Sequence, residues 1–152
     1  MSKPICLVTA PVATRSGYGA HSRDICRALI KLDRYDVKIW NVRWGNTPMN
    51  ALIKDDPNDQ MIIERLLSEP KLQKQPDVHI HIVIPNEFQL IGKYNIGITA
   101  GLEMTACPAE WVQGMNRMDL NIVPSFFVKE VMENLNFDIK NEQTEEVTGV
   151  LR

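Results

Sequence analysis

The chain has 152 residues, enough for one domain with its own core. A net charge of −2 with no basic block gives no electrostatic reason to capture nucleic acid or a membrane surface, and no apolar run is long enough to span a bilayer. Cys6, Cys26 and Cys107 are odd in number, widely spaced and without a C-x-x-C pair, so they read as reduced thiols rather than disulfides or a zinc cluster.

The N-terminus has one lysine and about four apolar residues, too short for a signal-peptide core, so the expectation is a cytoplasmic protein. Ile5–Thr9 is a continuous apolar run, which suits a central parallel strand covered on both faces. Ser16-Gly17-Tyr18-Gly19 forms the tip of the loop that follows. Ile25, Leu29 and Leu32 then recur at helical spacing, predicting a helix from about Gly19 or Ala20 to Leu32. Asp24 near its start and Lys31 near its end complement the helix dipole.

Val37–Val42 is the second strand, and Arg43-Trp44-Gly45-Asn46 leaves its carboxyl end on the same rim as the glycine loop. An irregular stretch to Asp59 leads into a helix over about Asn58 to Ser68. Glu69 to Pro76 is polar and proline-bounded, a surface connection. Val78–Ile84 is the third strand, with His79, His81 and Val83 on one face. Pro85-Asn86-Glu87-Phe88 breaks it on the rim. Tyr94–Ala100 is the fourth strand, and Gly101 to Cys107 is its rim loop. A helix follows from Pro108 to about Met115, then a fifth strand, Leu120–Val123. Ser125 is placed to cap a helix over Phe126 to Leu135. From Lys140 the pattern is lost, although Val147 to Leu151 has some strand character. Residues 1–139 therefore read as one domain, and residues 140–152 as a tail or the start of a linker. Strands alternating with helices predict an α/β, Rossmann-like open parallel sheet with helices on both faces and right-handed crossovers.

Ser16, Gly17, Tyr18 and Gly19 offer either a backbone cradle for a phosphate or sugar at a helix N-terminus or simply a tight turn. The third glycine of the dinucleotide fingerprint is missing and no acidic residue ends the second strand, which argues against a nicotinamide cofactor. No G-K-[ST] follows, so this is not a Walker loop. His79 and His81 are spaced as a metal pair can be, but without a nearby acidic or thiol ligand they read better as hydrogen-bonded core histidines. His21, in the first turn of the first helix, looks toward the rim, as a site histidine or a surface one. Glu87 and Glu103 sit in rim loops, where a carboxylate accepts hydroxyl hydrogen bonds or serves as general base, or is simply solvated. Glu103, among small and apolar neighbours, is the stronger candidate. Asp119 reads as a cap or as a partner of Arg117. No G-x-S-x-G elbow supports a serine triad.

Two segments carry a family resemblance. One is the first strand with the loop Ser16-Gly17-Tyr18-Gly19-Ala20-His21-Ser22. The other runs from Tyr94 to Val131, with Glu103, Pro108, Trp111, Asp119 and Ser125 in order. Together they resemble the N-terminal half of GT-B glycosyltransferases of the group 1 type, with Leu102 where the family usually has an aromatic. The resemblance reaches to about Phe137. It implies an acceptor-side domain of an enzyme that moves a sugar from a nucleotide-sugar donor to the hydroxyl of a glycan or other acceptor. It also implies no metal and no further cofactor, and a C-terminal donor-binding domain supplied in cis or by a partner subunit. It places Glu103 as the catalytic carboxylate at the acceptor hydroxyl and Ser16, Gly17, Tyr18, Gly19, His21 and Ser125 as substrate-binding. Trp111 would be packing behind the Glu103 loop, and Arg15 a companion of His21. The competing reading is a non-catalytic carbohydrate- or nucleotide-binding module that uses the same rim.

Overall fold

Six apolar or small residues in succession give the sheet its centre: β1, Ile5–Ala10, is buried from Cys6 onward. The computed structural model describes residues 2–152. After β1 come α1 (Gly17–Leu32), β2 (Asp36–Asn41), α2 (Pro57–Ile63) and β3 (Val78–Ile82). A single 3-10 turn at Pro85–Glu87 leads to β4 (Tyr94–Ile98), α3 (Ala109–Arg117), β5 (Leu120–Ile122) and α4 (Phe126–Glu133). A small hairpin of β6 (Phe137–Lys140) and β7 (Val147–Leu151) ends the chain. The first five strands form one parallel sheet in the order β2-β1-β3-β4-β5, the Rossmann-like α/β fold expected from the strand–helix alternation.

α2 is shorter than its apolar spacing predicts. Asp56 caps it by accepting from Asn58 N–H at 2.8 Å, and it ends at Ile63 because the next residues pair with the sheet. Ile39 N–H donates to Arg65 O and Leu67 N–H to Ile39 O, both at 2.9 Å, so Leu66 bridges β2 in parallel. Strand pairing outweighs helix propensity here. Counting this single bridge as the remnant of a strand outside β2, the order becomes the common doubly wound one, with the reversal between β1 and β3.

One face of the sheet, through Cys6, Val8, Val37, Ile39, Ile80 and Ile82, packs with Cys26 of α1 and Ile62 of α2. On the opposite face stand Leu7, Thr9, His79, His81 and Val83. There Phe88 packs with Val83 and Met118, and α3 lies against the 3-10 turn. A side chain at Gly114 would collide with the Pro85 carbonyl, so this helix–turn contact needs glycine. The β2-to-β3 crossover brings no helix to this face, since residues 67–76 cross it as coil.

His79 and His81 are core histidines with defined roles. His79 Nδ1–H donates to Gln89 O at 3.1 Å and its Nε2 accepts from the Thr9 hydroxyl at 2.9 Å. His81 Nδ1 accepts from Gln89 N–H at 3.2 Å. Burial pushes His79 down to about 4, and burial together with the neighbouring His79 pushes His81 down to about 3, so both rings are neutral. All three cysteines are free and buried, and burial raises the thiols of Cys6 and Cys26 to about 12. Asp119 does not pair with Arg117. Its carboxylate accepts from Asn95 N–H at 2.7 Å, while Arg117 donates to the carbonyls of Asn86 and Phe88. The local sequence pairs the two neighbours, but the register of β4 beside β5 brings Asn95 closer. The segment after Lys140 is the turn and second strand of the hairpin; Phe137 and Leu151 pack onto a cluster formed by Cys107, Val112, Val128 and Met132. Among the described residues no helix is long and apolar enough to cross a membrane.

Candidate functional site

The loop after β1 is over-determined by its hydrogen bonds. Arg23 of α1 donates from Nη1 to the carbonyls of Val12 and Thr14, each at 2.9 Å. Asn41, the last residue of β2, accepts from Ala13 N–H at 3.0 Å, and Ala51 N–H donates to Ala13 O at 3.0 Å. These contacts fix where α1 begins, two residues earlier than its apolar spacing suggests. Ser16 is the cap: its Oγ accepts from Gly19 N–H at 2.9 Å and lies 2.8 Å from the Thr14 hydroxyl. Gly19 is buried against Pro11 and Thr14, whereas Gly17 faces open space. The two glycines of one short motif therefore have different surroundings, one a packing contact and one an open rim.

Tyr18 joins the first strand's loop to the fourth strand's end. Its hydroxyl lies 3.0 Å from Thr99 Oγ1 and accepts from Ala100 N–H at 3.0 Å. Its ring stacks on Trp44 with centroids 4.2 Å apart. Trp44 in turn packs against Val83, Phe88 and Met118, so an aromatic pair fills the crevice where the strand order reverses. Sequence reasoning placed Trp44 on the rim without a role and Thr99 inside the fourth strand; β4 ends at Ile98, so both lie just beyond a strand's carboxyl end.

Two adjoining clefts open on this rim. The first, about 230 Å³, is lined by Gly17, Tyr18, His21, Thr99, Ala100 and Pro124. The second, about 480 Å³, is lined by Gly101, Glu103, Ser125 and Phe127, and it shares Ala100 and Pro124 with the first. The structure thus brings Gly17, Tyr18, His21, Glu103 and Ser125 along one continuous edge. Ser16 and Gly19 lie behind it and hold the loop. Arg15 turns away, donating to Asn50 Oδ1 at 2.8 Å. Ser125 caps α4 by accepting from Val128 N–H at 3.2 Å. Trp111 packs onto the cluster beneath the Glu103 loop.

Glu103 is exposed, and among the described residues no side chain pairs with it. An exposed carboxylate beside an apolar cleft accepts hydrogen bonds from hydroxyl groups, and the open backbone at Gly17 lets a ligand reach the first turn of α1. Among the described residues no three His, Cys, Asp or Glu side chains converge as metal ligands do. A larger cleft, about 760 Å³, lies elsewhere, on the face that residues 67–76 cross as coil, and none of the glycine-loop residues lines it. Comparison with protein-family models, with curated proteins and with solved structures finds no match for this chain.

Proposed function

We propose that the chain is the acceptor-side half of a GT-B glycosyltransferase, working with a donor-binding domain in cis or in a partner subunit. The observation that supports this most is the shared edge of the two rim clefts: Gly17, Tyr18 and His21 on one side, Glu103 and Ser125 on the other, with Ala100 and Pro124 common to both. In this reading the acceptor sits along that edge and Glu103 accepts the proton of its hydroxyl. The acceptor oxygen bonds to the anomeric carbon of the nucleotide-sugar as the bond from that carbon to the diphosphate breaks. Tyr18, held by Thr99 and Ala100, keeps the α1 loop and the β4 end in fixed register, so the acceptor meets a rigid wall. Few cations line the rim, so the donor half supplies most of the charge that the leaving diphosphate needs.

The test is sugar transfer from a panel of nucleotide-sugars to glycan acceptors by the protein together with its donor-binding half. Glu103→Ala and Gly17→Val each lower transfer about tenfold or more with the thermal transition retained. Unchanged transfer in both variants rejects the site. Acceptor binding at the rim without any transfer favours the non-catalytic binding module.

A further inference from the structure

The part of the sheet face that residues 67–76 cross as coil carries a second site of different character. Its floor is the sheet itself, with Thr9 of β1, Trp40 of β2 and His81 of β3. Two segments wall it: the coil over residues 67–76 and the segment from Asn86 to Ile91. These walls are fixed, since Gln75 Nε2–H donates to Ile91 O at 3.3 Å and Lys93 N–H to Pro76 O at 3.0 Å. The volume, about 760 Å³, is that of a site for a small organic ligand rather than for water.

Its polar groups are arranged for one kind of molecule. His81 is 4% exposed, yet it lines the cleft. Its Nδ1 is committed to Gln89 N–H, so the ring's proton is on Nε2, which makes no hydrogen bond to any described residue. A ring N–H facing the cleft without a protein acceptor is available to an acceptor atom on a ligand. Arg43 and Lys74 both line the cleft, and neither forms an ion pair among the described residues. Two free cations favour a phosphate. Trp40 supplies an aromatic surface for a flat ring, and Glu87 an acceptor for ligand hydroxyl or amino groups. We propose that this cleft, independent of the rim clefts, binds a nucleoside monophosphate, with its base against Trp40, its phosphate between Arg43 and Lys74, and an acceptor atom on His81 Nε2–H.

Titration of the whole chain with uridine monophosphate and with adenosine monophosphate, followed by NMR of the Trp40 indole and His81 ring signals, tests this. At least one of the two should shift both signals saturably at submillimolar concentration. Uridine, adenosine and inorganic phosphate should each bind about tenfold more weakly or less. The double variant Arg43→Gln/Lys74→Gln should lose about tenfold in affinity, and His81→Phe should weaken binding with the same fold retained. Gly17→Val and Glu103→Ala should leave binding unchanged, which separates this site from the rim reading. Absence of a saturable shift with either nucleotide, or equal affinity in the double variant, overturns the proposal.

Discussion

A methyl group placed on Gly19 would collide with the Thr14 carbonyl and lie 2.6 Å from the Thr14 hydroxyl oxygen, in a loop that Arg23 and Asn41 hold in place. Neither partner can retreat without losing a hydrogen bond. Gly19→Ala should therefore destabilise the protein by about 1–3 kcal/mol in denaturant unfolding. Gly17, two residues away, meets nothing within 4 Å, and Gly17→Ala should leave the unfolding midpoint nearly unchanged. Equal costs for the two substitutions would contradict the packing described. The residues show how much of the site could be read in advance. The motif Ser16-Gly17-Tyr18-Gly19 was legible as the rim passage from β1 into α1 because composition and the change of period mark it, although only Ser16 stays outside the helix. Which glycine packs and which opens to solvent was not, because that depends on Thr14 and Pro11 folding back beneath the helix.

At the scale of elements, α1 and α2 are tied by a buried charge. Asp59 is 4% exposed; it accepts from Arg27 at 2.6 Å and from Ile53 N–H at 2.9 Å. Burial acts to raise its pKa, but the Ile53 amide and the Arg27 guanidinium outweigh this and hold the carboxyl below its ordinary 3.8. Asp59→Ala should cost about 2 kcal/mol at neutral pH, because it leaves Nη2 of Arg27 and the Ile53 amide without their acceptor. The folded pKa is depressed, so the contribution is complete above the ordinary carboxylate value and fades as pH falls below it. A difference in stability from wild type that shrinks below about pH 4 is the expected result of paired denaturant titrations. The strands of the main sheet were legible because each is a short segment rich in apolar residues, bounded by polar or proline-containing turns. The end of α2 was not, since Leu66 leaves helical spacing to pair with Ile39, a contact between residues far apart in sequence. β6 was missed for a different reason: three of its four residues are exposed, so burial imposes no pattern on it. Its partner β7 shows more strand character through Val147, Val150 and Leu151.

For the whole molecule, the neutral histidines under the β3–β4 connection add an acid response at higher pH than that of Asp59. Their folded pKa values lie near 4 and near 3, below the ordinary 6.5, so the unfolded chain binds protons first as pH falls. Stability from this source is full above about pH 6.5 and is lost on the way down to about pH 3, with a slope that approaches about 1.4 kcal/mol per pH unit for each ring. Replacing both, as His79→Gln with His81→Phe, should flatten the fall in stability between pH 6.5 and 4.5. A double variant with the wild-type slope would place the acid sensitivity elsewhere.

The position of β1 at the middle of the sheet also has a temporal side. It is made before either of its two neighbours, Asp36–Asn41 and Val78–Ile82. During synthesis one edge of β1 is matched early, while the other stays open until some seventy further residues have emerged, as the pairing of Cys6 with Val78 requires. Until then an apolar strand presents unpaired amides and carbonyls, the surface that chaperones capture and that neighbouring nascent chains can add to. The geometry that makes the finished sheet secure leaves its central strand half-paired while the chain is still growing.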